Sequence, residues 1–256
     1  MNNPWEAGDF SRIAPSALIV GEMLCDDIPL YAGQRVLDIG CGSGNTALAA
    51  ARRRADVTAI DPVPALLEHA QRRATAEQLE IKWKEGSAEF LPFANDSFDV
   101  ALSTFGLIFS TKPNESVAEA ARVLTPEGKL VVSSWQEGGM TDRVFDLCEQ
   151  ILVGDQMLAV ARKWGRPDEA CEILGGNFSK IRVVRRDFMV RAIDAKRWLA
   201  GMKLFLAPVV LAYERLSPIE AAALDSRMLE LAETFPPAPN GSLFVHVPYL
   251  EYHCAK

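Results

Sequence analysis

At 256 residues, 49% of them hydrophobic and 24% charged, the chain can bury a sizeable core and suits one large α/β domain or a domain with a cap. No apolar run approaches the roughly 18 residues of a membrane span, and the start MNNPWEAGDF lacks the basic and apolar regions of a signal peptide, so a cytoplasmic chain with no membrane partner is expected. The net charge of −7 argues against a chain-wide surface for nucleic acid, and five scattered cysteines (Cys25, Cys41, Cys148, Cys171, Cys254) with no C-x-x-C pair read as reduced, mostly buried thiols rather than a metal site.

The stretch VLDIGCGSGNT, Val36 to Thr46, passes from a β-branched apolar run to Gly40, Gly42 and Gly44 and then to the Ala-rich TALAAARRR. That order predicts strand, tight turn and helix. Further strands are expected at 56–60, 80–85, 98–103 and 129–134, each bounded by turn residues. Helices are expected between them, at 64–78 with Leu66, Leu67 and Ala70 on one face, and at 114–124 with Asn114 as its cap and Val117, Ala121 and Leu124 on one face. Such alternation implies right-handed βαβ units, a parallel sheet, and ligands at the carboxyl ends of the strands.

Beyond Trp135 the rhythm is lost. A mainly helical region over about 144–235 is interrupted by a strand-like run at 181–192, and SLFVHVPYLEYHC offers a last strand, so a helical cap inserted late is expected, not a second domain. The basic run from Lys180 to Lys203 reads as a solvated strand face and helix flank, because few aromatics interleave for base stacking. The apolar MKLFLAPVVLAY, broken by Pro208, reads as core or as a cap helix over a substrate. His69, between Glu68 and Arg72 in side-chain space, reads as exposed, and Cys41 as a small buried residue rather than a nucleophile. His246 and His253, an odd number of residues apart on one strand, point to opposite faces.

At a strand-to-helix turn, glycines let backbone amides approach a ligand, and the helix N-terminus favours an anion. The spacing here is not the dinucleotide fingerprint, because the third glycine falls at the fifth position, and no Lys-Ser or Lys-Thr completes a phosphate loop. Asp38, two residues ahead of Gly40, would repel a diphosphate and suits a primary ammonium, while Asp61 ends the next strand, where an acid accepts from ribose hydroxyls. The ligand expected is a ribonucleoside with a positive tail. A plain turn or capping acid is the alternative reading of both residues.

These residues lie within VLDIGCGSG, VTAIDPVPALLEHA, GSAEFLPFANDSFDVALSTFGLIF and ARVLTPEGKLVVSSW, which in order and spacing resemble the class I (Rossmann-like) SAM-dependent methyltransferases in their ubiquinone-biosynthesis-like, small-molecule branch. The resemblance runs from about Gln34 to Trp135 and is weaker outside it. It implies an α/β, doubly wound, mostly parallel seven-stranded sheet with the late helical cap, in a single domain over 1–256: N-terminal lid helices at 1–34, the SAM-binding core at 35–135, cap and sixth strand at 136–240, and the last strand at 241–256. It implies S-adenosyl-L-methionine (SAM) as cofactor and S-adenosyl-L-homocysteine as product. Gly40, Gly42 and Gly44 would line the methionine part, Asp38 would meet the ammonium, and Asp61, followed by Pro62, would take the ribose hydroxyls. Ser87, which stands where the family usually has Asp, and Ala88 would sit beside adenine, and Ser103 would end the fourth strand near the ammonium.

The residues after that strand, STFGLIF, are not the Asn-Pro-Pro-Tyr type used on amino groups of bases or glutamine, and they carry no acid for metal-dependent catechol methylation. Metal-free methylation of an O, N or C atom of a small-molecule acceptor by in-line displacement remains, with Trp5, Phe10, Phe105, Trp135 and Tyr213 as acceptor contacts and core packing as their alternative role. For a general base, His246 is the first candidate and Glu137 the second. The competing readings are a SAM-binding cyclase or rearrangement catalyst, an RNA-directed methyltransferase, and a nicotinamide oxidoreductase, the last disfavoured by the glycine spacing and Asp38.

Overall fold

A computed structural model describes residues 3–235 and 237–256. Met1 and Asn2 of the expected lid and Pro236 of the expected cap region lie outside the described residues.

Three short 3₁₀ turns, Pro4–Glu6, Phe10–Arg12 and Ala14–Ala17, lead into α1 (Leu18–Asp27). The alternation follows: β1 (Arg35–Ile39), α2 (Asn45–Arg52), β2 (Asp56–Asp61), α3 (Pro64–Ala76), β3 (Ile81–Glu85), β4 (Phe98–Thr104), α4 (Pro113–Val123) and β5 (Leu124–Trp135). Then come α5 (Met140–Glu149), α6 (Gln156–Lys163), α7 (Pro167–Gly175), β6 (Lys180–Ala192), α8 (Ala195–Phe205), α9 (Ala207–Glu214), α10 (Pro218–Glu233) and β7 (Leu243–Ala255). The strands form one seven-stranded sheet in the order β3-β2-β1-β4-β5-β7-β6. Neighbours from β3 to β5 pair in parallel, and β7 runs antiparallel to both β5 and β6.

The central strands are apolar on both faces because both faces are covered. Val36, Val57, Ala59, Val100, Leu102 and Val131 pack against α1, α2 and α3 through Leu24, Ala47, Ala50 and Leu67. Leu37, Ile39, Ala101, Leu130 and Val132 belong to the larger core that α4 to α10 close. The edge strand β6 keeps Lys180, Arg182, Arg185 and Arg191 exposed. Arg186 turns inward, bonding Asp27 at the end of α1 and the wholly buried Glu251 at 3.4 Å, which His253 also meets at 3.0 Å.

Four local expectations change. The fifth strand begins at Leu124 rather than Lys129, because Phe98 pairs with Leu124 ahead of a register shift. Asn114 is not a cap: α4 starts on Pro113, whose preset φ and missing N–H suit a first helical position, with Lys112 as the flanking residue. Thr104, not Ser103, ends β4. His69 is half-buried rather than exposed, its Nδ1 enclosed without a hydrogen-bond partner, and burial with the charges of Arg73 and Arg72 holds its pKa down. The apolar run at 202–213 breaks at Leu206, between α8 and α9, where Pro208 falls in the first turn of the new helix.

Candidate functional site

A chamber of about 360 Å³ opens at the carboxyl ends of β1, β2, β4 and β5. One wall is the turn between β1 and α2. Gly40, Gly42 and Gly44 hold φ of 68°, 51° and 85°, a region that costs a side chain strain. A Cβ on Gly40 would lie 2.8 Å from the Cα of Gly106, so the turns after β1 and β4 touch backbone to backbone. A Cβ on Gly42 would meet only the Phe10 ring, at 3.8 Å, so the open space of the chamber lies on the Cβ side of this residue.

Asp61, at the tip of β2, accepts the Gly42 amide at 2.7 Å and the Val63 amide at 2.9 Å, tying the glycine turn to the start of α3. Each carboxylate oxygen keeps a second lone pair for hydroxyl donors. Burial raises its pKa to about 6 against those two amide bonds. Asp38 is 1% exposed, and its Oδ2 is buried without a partner. Burial pushes its carboxyl up to about 7, opposed by the Ala47 amide and assisted by the charge of Asp61. A buried carboxylate oxygen with no donor is unfavourable unless a ligand supplies one, and a cation is the partner that favours the ionised form.

Pro62, Ser87 and Ala88 line the same end of the chamber, as does Glu89, whose carboxylate accepts the Ser110 hydroxyl at 2.6 Å. Cys41 also lines it, but burial drives its thiol well above the ordinary value, against a nucleophilic role. Ser103 is fully buried behind the lining. Its Oγ donates to the Ile39 carbonyl at 2.6 Å and accepts the Leu107 amide at 2.8 Å, while Thr104 reaches the chamber and accepts the Thr46 hydroxyl at 2.8 Å.

Trp5, Phe10, Phe105 and Trp135, the residues the sequence offers as acceptor contacts, line the chamber. Phe105 adopts φ 59° and stacks on Trp135 with ring centroids 3.6 Å apart and planes 6° from parallel. Tyr213 lies elsewhere: its hydroxyl donates to Asp225 at 2.6 Å, and Lys203 sits over its ring. Neither base candidate lines the chamber. His246 is on the exposed face of β7, with Nδ1 2.7 Å from Asp187, and Glu137 is an exposed partner of Arg166 at 2.6 Å.

Several lining residues escaped the sequence reading. Gly106 follows an aromatic residue in STFGLIF, and a glycine directly after a strand was the available signal. Phe188 and Val190 of β6, and Met202 and Leu206 from α8 and its end, come from the late part of the chain, where no motif marks them. Asn45 donates from Nδ2 to the Ala14 carbonyl at 2.8 Å, and its Oδ1 accepts from Arg73 at 2.8 Å. Arg73 also donates to the Ser43 carbonyl at 2.6 Å, so one side-chain network joins α3, the glycine turn and the N-terminal segment.

The 3-2-1-4-5-7-6 sheet with an acid at the tip of β2 and a glycine turn after β1 is the arrangement of a Rossmann-like, SAM-dependent methyltransferase. The family model described as "Methyltransferase domain" matches residues 37–132. A Mycobacterium tuberculosis protein, described only as uncharacterized, is 33% identical over 236 residues, covering 90% of this chain and 86% of its own. The ubiquinone/menaquinone biosynthesis C-methyltransferase UbiE of Ruegeria sp. is 37% identical over 109 residues, 41% of this chain and 44% of its own. The crystal structure of YcgJ from Bacillus subtilis shares the fold, with a TM-score of 0.62, 20% identity, and coverage of 92% and 97% of the two chains. The chain belongs to the class I SAM-dependent methyltransferases, and it is an enzyme whose cofactor is SAM. The unpartnered Asp38 oxygen and the spare lone pairs of Asp61 fit that cofactor's ammonium and ribose.

Proposed function

We propose that the protein methylates an O, N or C atom of a small apolar or heteroaromatic molecule, without a metal, in the cytoplasm. The observation that carries this reading is the continuity of the chamber: beyond the three acids of the donor end it is lined by rings, aliphatic groups and hydroxyls. Its volume is also that of a small-molecule site, typically about 300–1,000 Å³. Five free cysteines suit a reducing compartment.

In this reading Asp38 holds the ammonium of SAM, Asp61 the ribose hydroxyls and Ser87 and Ala88 the adenine, while the glycine turn lines the methionine part. When bound, SAM supplies an electrophilic methyl group on a sulfonium. The chain's own contribution is alignment and exclusion of water, for which Trp5 and Phe10 form a lid from the N-terminal side and Met202 and Leu206 close the cap side. His246 and Glu137 do not line the chamber, so neither serves as base, and an acceptor acidic enough to lose its proton unaided needs none. Incubation with SAM and a metabolite extract, read by mass spectrometry for gains of one methyl, tests the proposal. Methylation confined to RNA or protein would overturn it, and turnover of a small molecule without mass change would replace transfer by rearrangement.

A further inference from the structure

Two ring systems face the acceptor end of the chamber. One is the Phe105–Trp135 stack, extended by Phe188, whose ring is 6.2 Å from Trp135. The other is Trp5, edge-on to Phe109 at 4.7 Å and to Phe10 at 5.4 Å. All six line the chamber, and Trp5, Phe10, Phe109 and Trp135 are only half-buried although they pack against the core. The left-handed backbone of Phe105 is of a kind that costs strain and persists where surrounding structure requires it, and its ring stacks on Trp135.

The charge is equally one-sided. Asp38, Asp61 and Glu89 lie at the donor end, and no Lys, Arg or His is among the described residues that line the chamber. An acceptor carrying a carboxylate or phosphate would bury that charge with no protein cation to meet it, beside three acids. A planar ring, by contrast, gains offset or edge-to-face contact with either wall and needs no counter-charge.

We infer that the acceptor is an uncharged, planar, fused-ring molecule bound between the Phe105–Trp135 and Trp5–Phe109 walls, and that anion-bearing acceptors are excluded. This rests on the methyltransfer reading above and narrows its substrate class. The test is calorimetry on the full chain loaded with S-adenosyl-L-homocysteine, using three probes of similar size: 2-naphthol, 2-naphthoate and decahydro-2-naphthol.

The first is flat and neutral, the second flat and anionic, the third neutral but not flat. Saturable binding of 2-naphthol is expected, with 2-naphthoate weaker by at least about tenfold for its unpaired charge. The saturated alcohol should be weaker by about fivefold, and Trp135→Leu should cost 2-naphthol about as much while leaving the affinity for S-adenosyl-L-homocysteine unchanged. Equal or tighter binding of 2-naphthoate or of the saturated alcohol would overturn the inference, as would absence of 2-naphthol binding in the loaded protein. Failure of S-adenosyl-L-homocysteine itself to bind would instead defeat the parent reading, so the two failures are distinct.

Discussion

The two ends of the chamber are built from different parts of the chain and by different physics. The donor end comes from consecutive strand tips, β1, β2 and the turn after β3, and depends on backbone amides, two buried carboxylates and glycine geometry. The acceptor end gathers Trp5 and Phe10 from the start of the chain, Phe105 and Trp135 from the middle, and Phe188, Met202 and Leu206 from the late region, and it depends on ring packing. The first is constrained by one ligand's fixed pattern of hydroxyls and charge. The second is constrained only by shape and polarity, so many sequences serve it.

The sharpest way to break this contrast is at Asp61. Replacement by Ala removes the acceptor of two amides and the proposed ribose contact, and SAM affinity should fall by about 1.5–3 kcal/mol, read by calorimetry. Unchanged affinity would remove Asp61 from the donor end. Gly106→Ala is the next test, because its Cβ would lie 2.5 Å from the Gly40 carbonyl oxygen. Thermal unfolding should report a loss of about 1–3 kcal/mol, with a smaller stabilisation by SAM, since the clash pushes on the glycine turn.

Protonation sharpens the comparison, because only the donor end carries raised carboxyls. Asp38 near 7 and Asp61 near 6 lie above their unfolded values, so the stability they contribute to the ligand-free protein is full below about pH 4 and is lost as pH rises through 6 and 7. A cationic ligand favours the ionised form, so binding follows the opposite slope. SAM affinity should be roughly tenfold weaker at pH 6 than at pH 8, one unit below the Asp38 value. Asp38→Asn should flatten that slope, and a wild-type profile already flat would separate Asp38 from the ammonium.

Two adjacent arginines on β6, away from the chamber, separate an exposed side chain from a half-buried one. Arg185→Ala, at an exposed edge, should change stability by less than about 0.5 kcal/mol. Arg186→Ala removes one partner of buried Glu251 and should cost about 1.5–3 kcal/mol by denaturant unfolding. If both variants instead abolished turnover without unfolding the chain, a macromolecular acceptor would be the better reading.

The sequence makes the donor end legible because its chemistry is local. VLDIGCGSG places turn, acid and helix within a few residues, and the strand-helix alternation predicts where Asp61 falls. The sheet through β5 follows from the same alternation, with β5 misplaced at its start because Leu124 serves α4 and the strand at once. The acceptor end is legible only in part. Four of five aromatic contacts reach the chamber, but Tyr213 follows the break after α8 into a pairing with Asp225, and Phe188 on β6 carries no local sign of its distant neighbours. Chemistry and chain position alone single out His246 and Glu137, and the alternation of β7 turns His246 outward, since Val245 and Val247 take the buried face. Tertiary convergence of that kind leaves no spacing to detect.

The central claim, that the donor end selects a ribonucleoside with a cationic tail, is tested most directly by calorimetric titration of the full chain with SAM and, separately, with NAD at pH 8. Saturable binding of SAM is expected, and no binding of NAD, whose pyrophosphate would meet the buried carboxylates of Asp38 and Asp61. Binding of NAD in preference to SAM would contradict it.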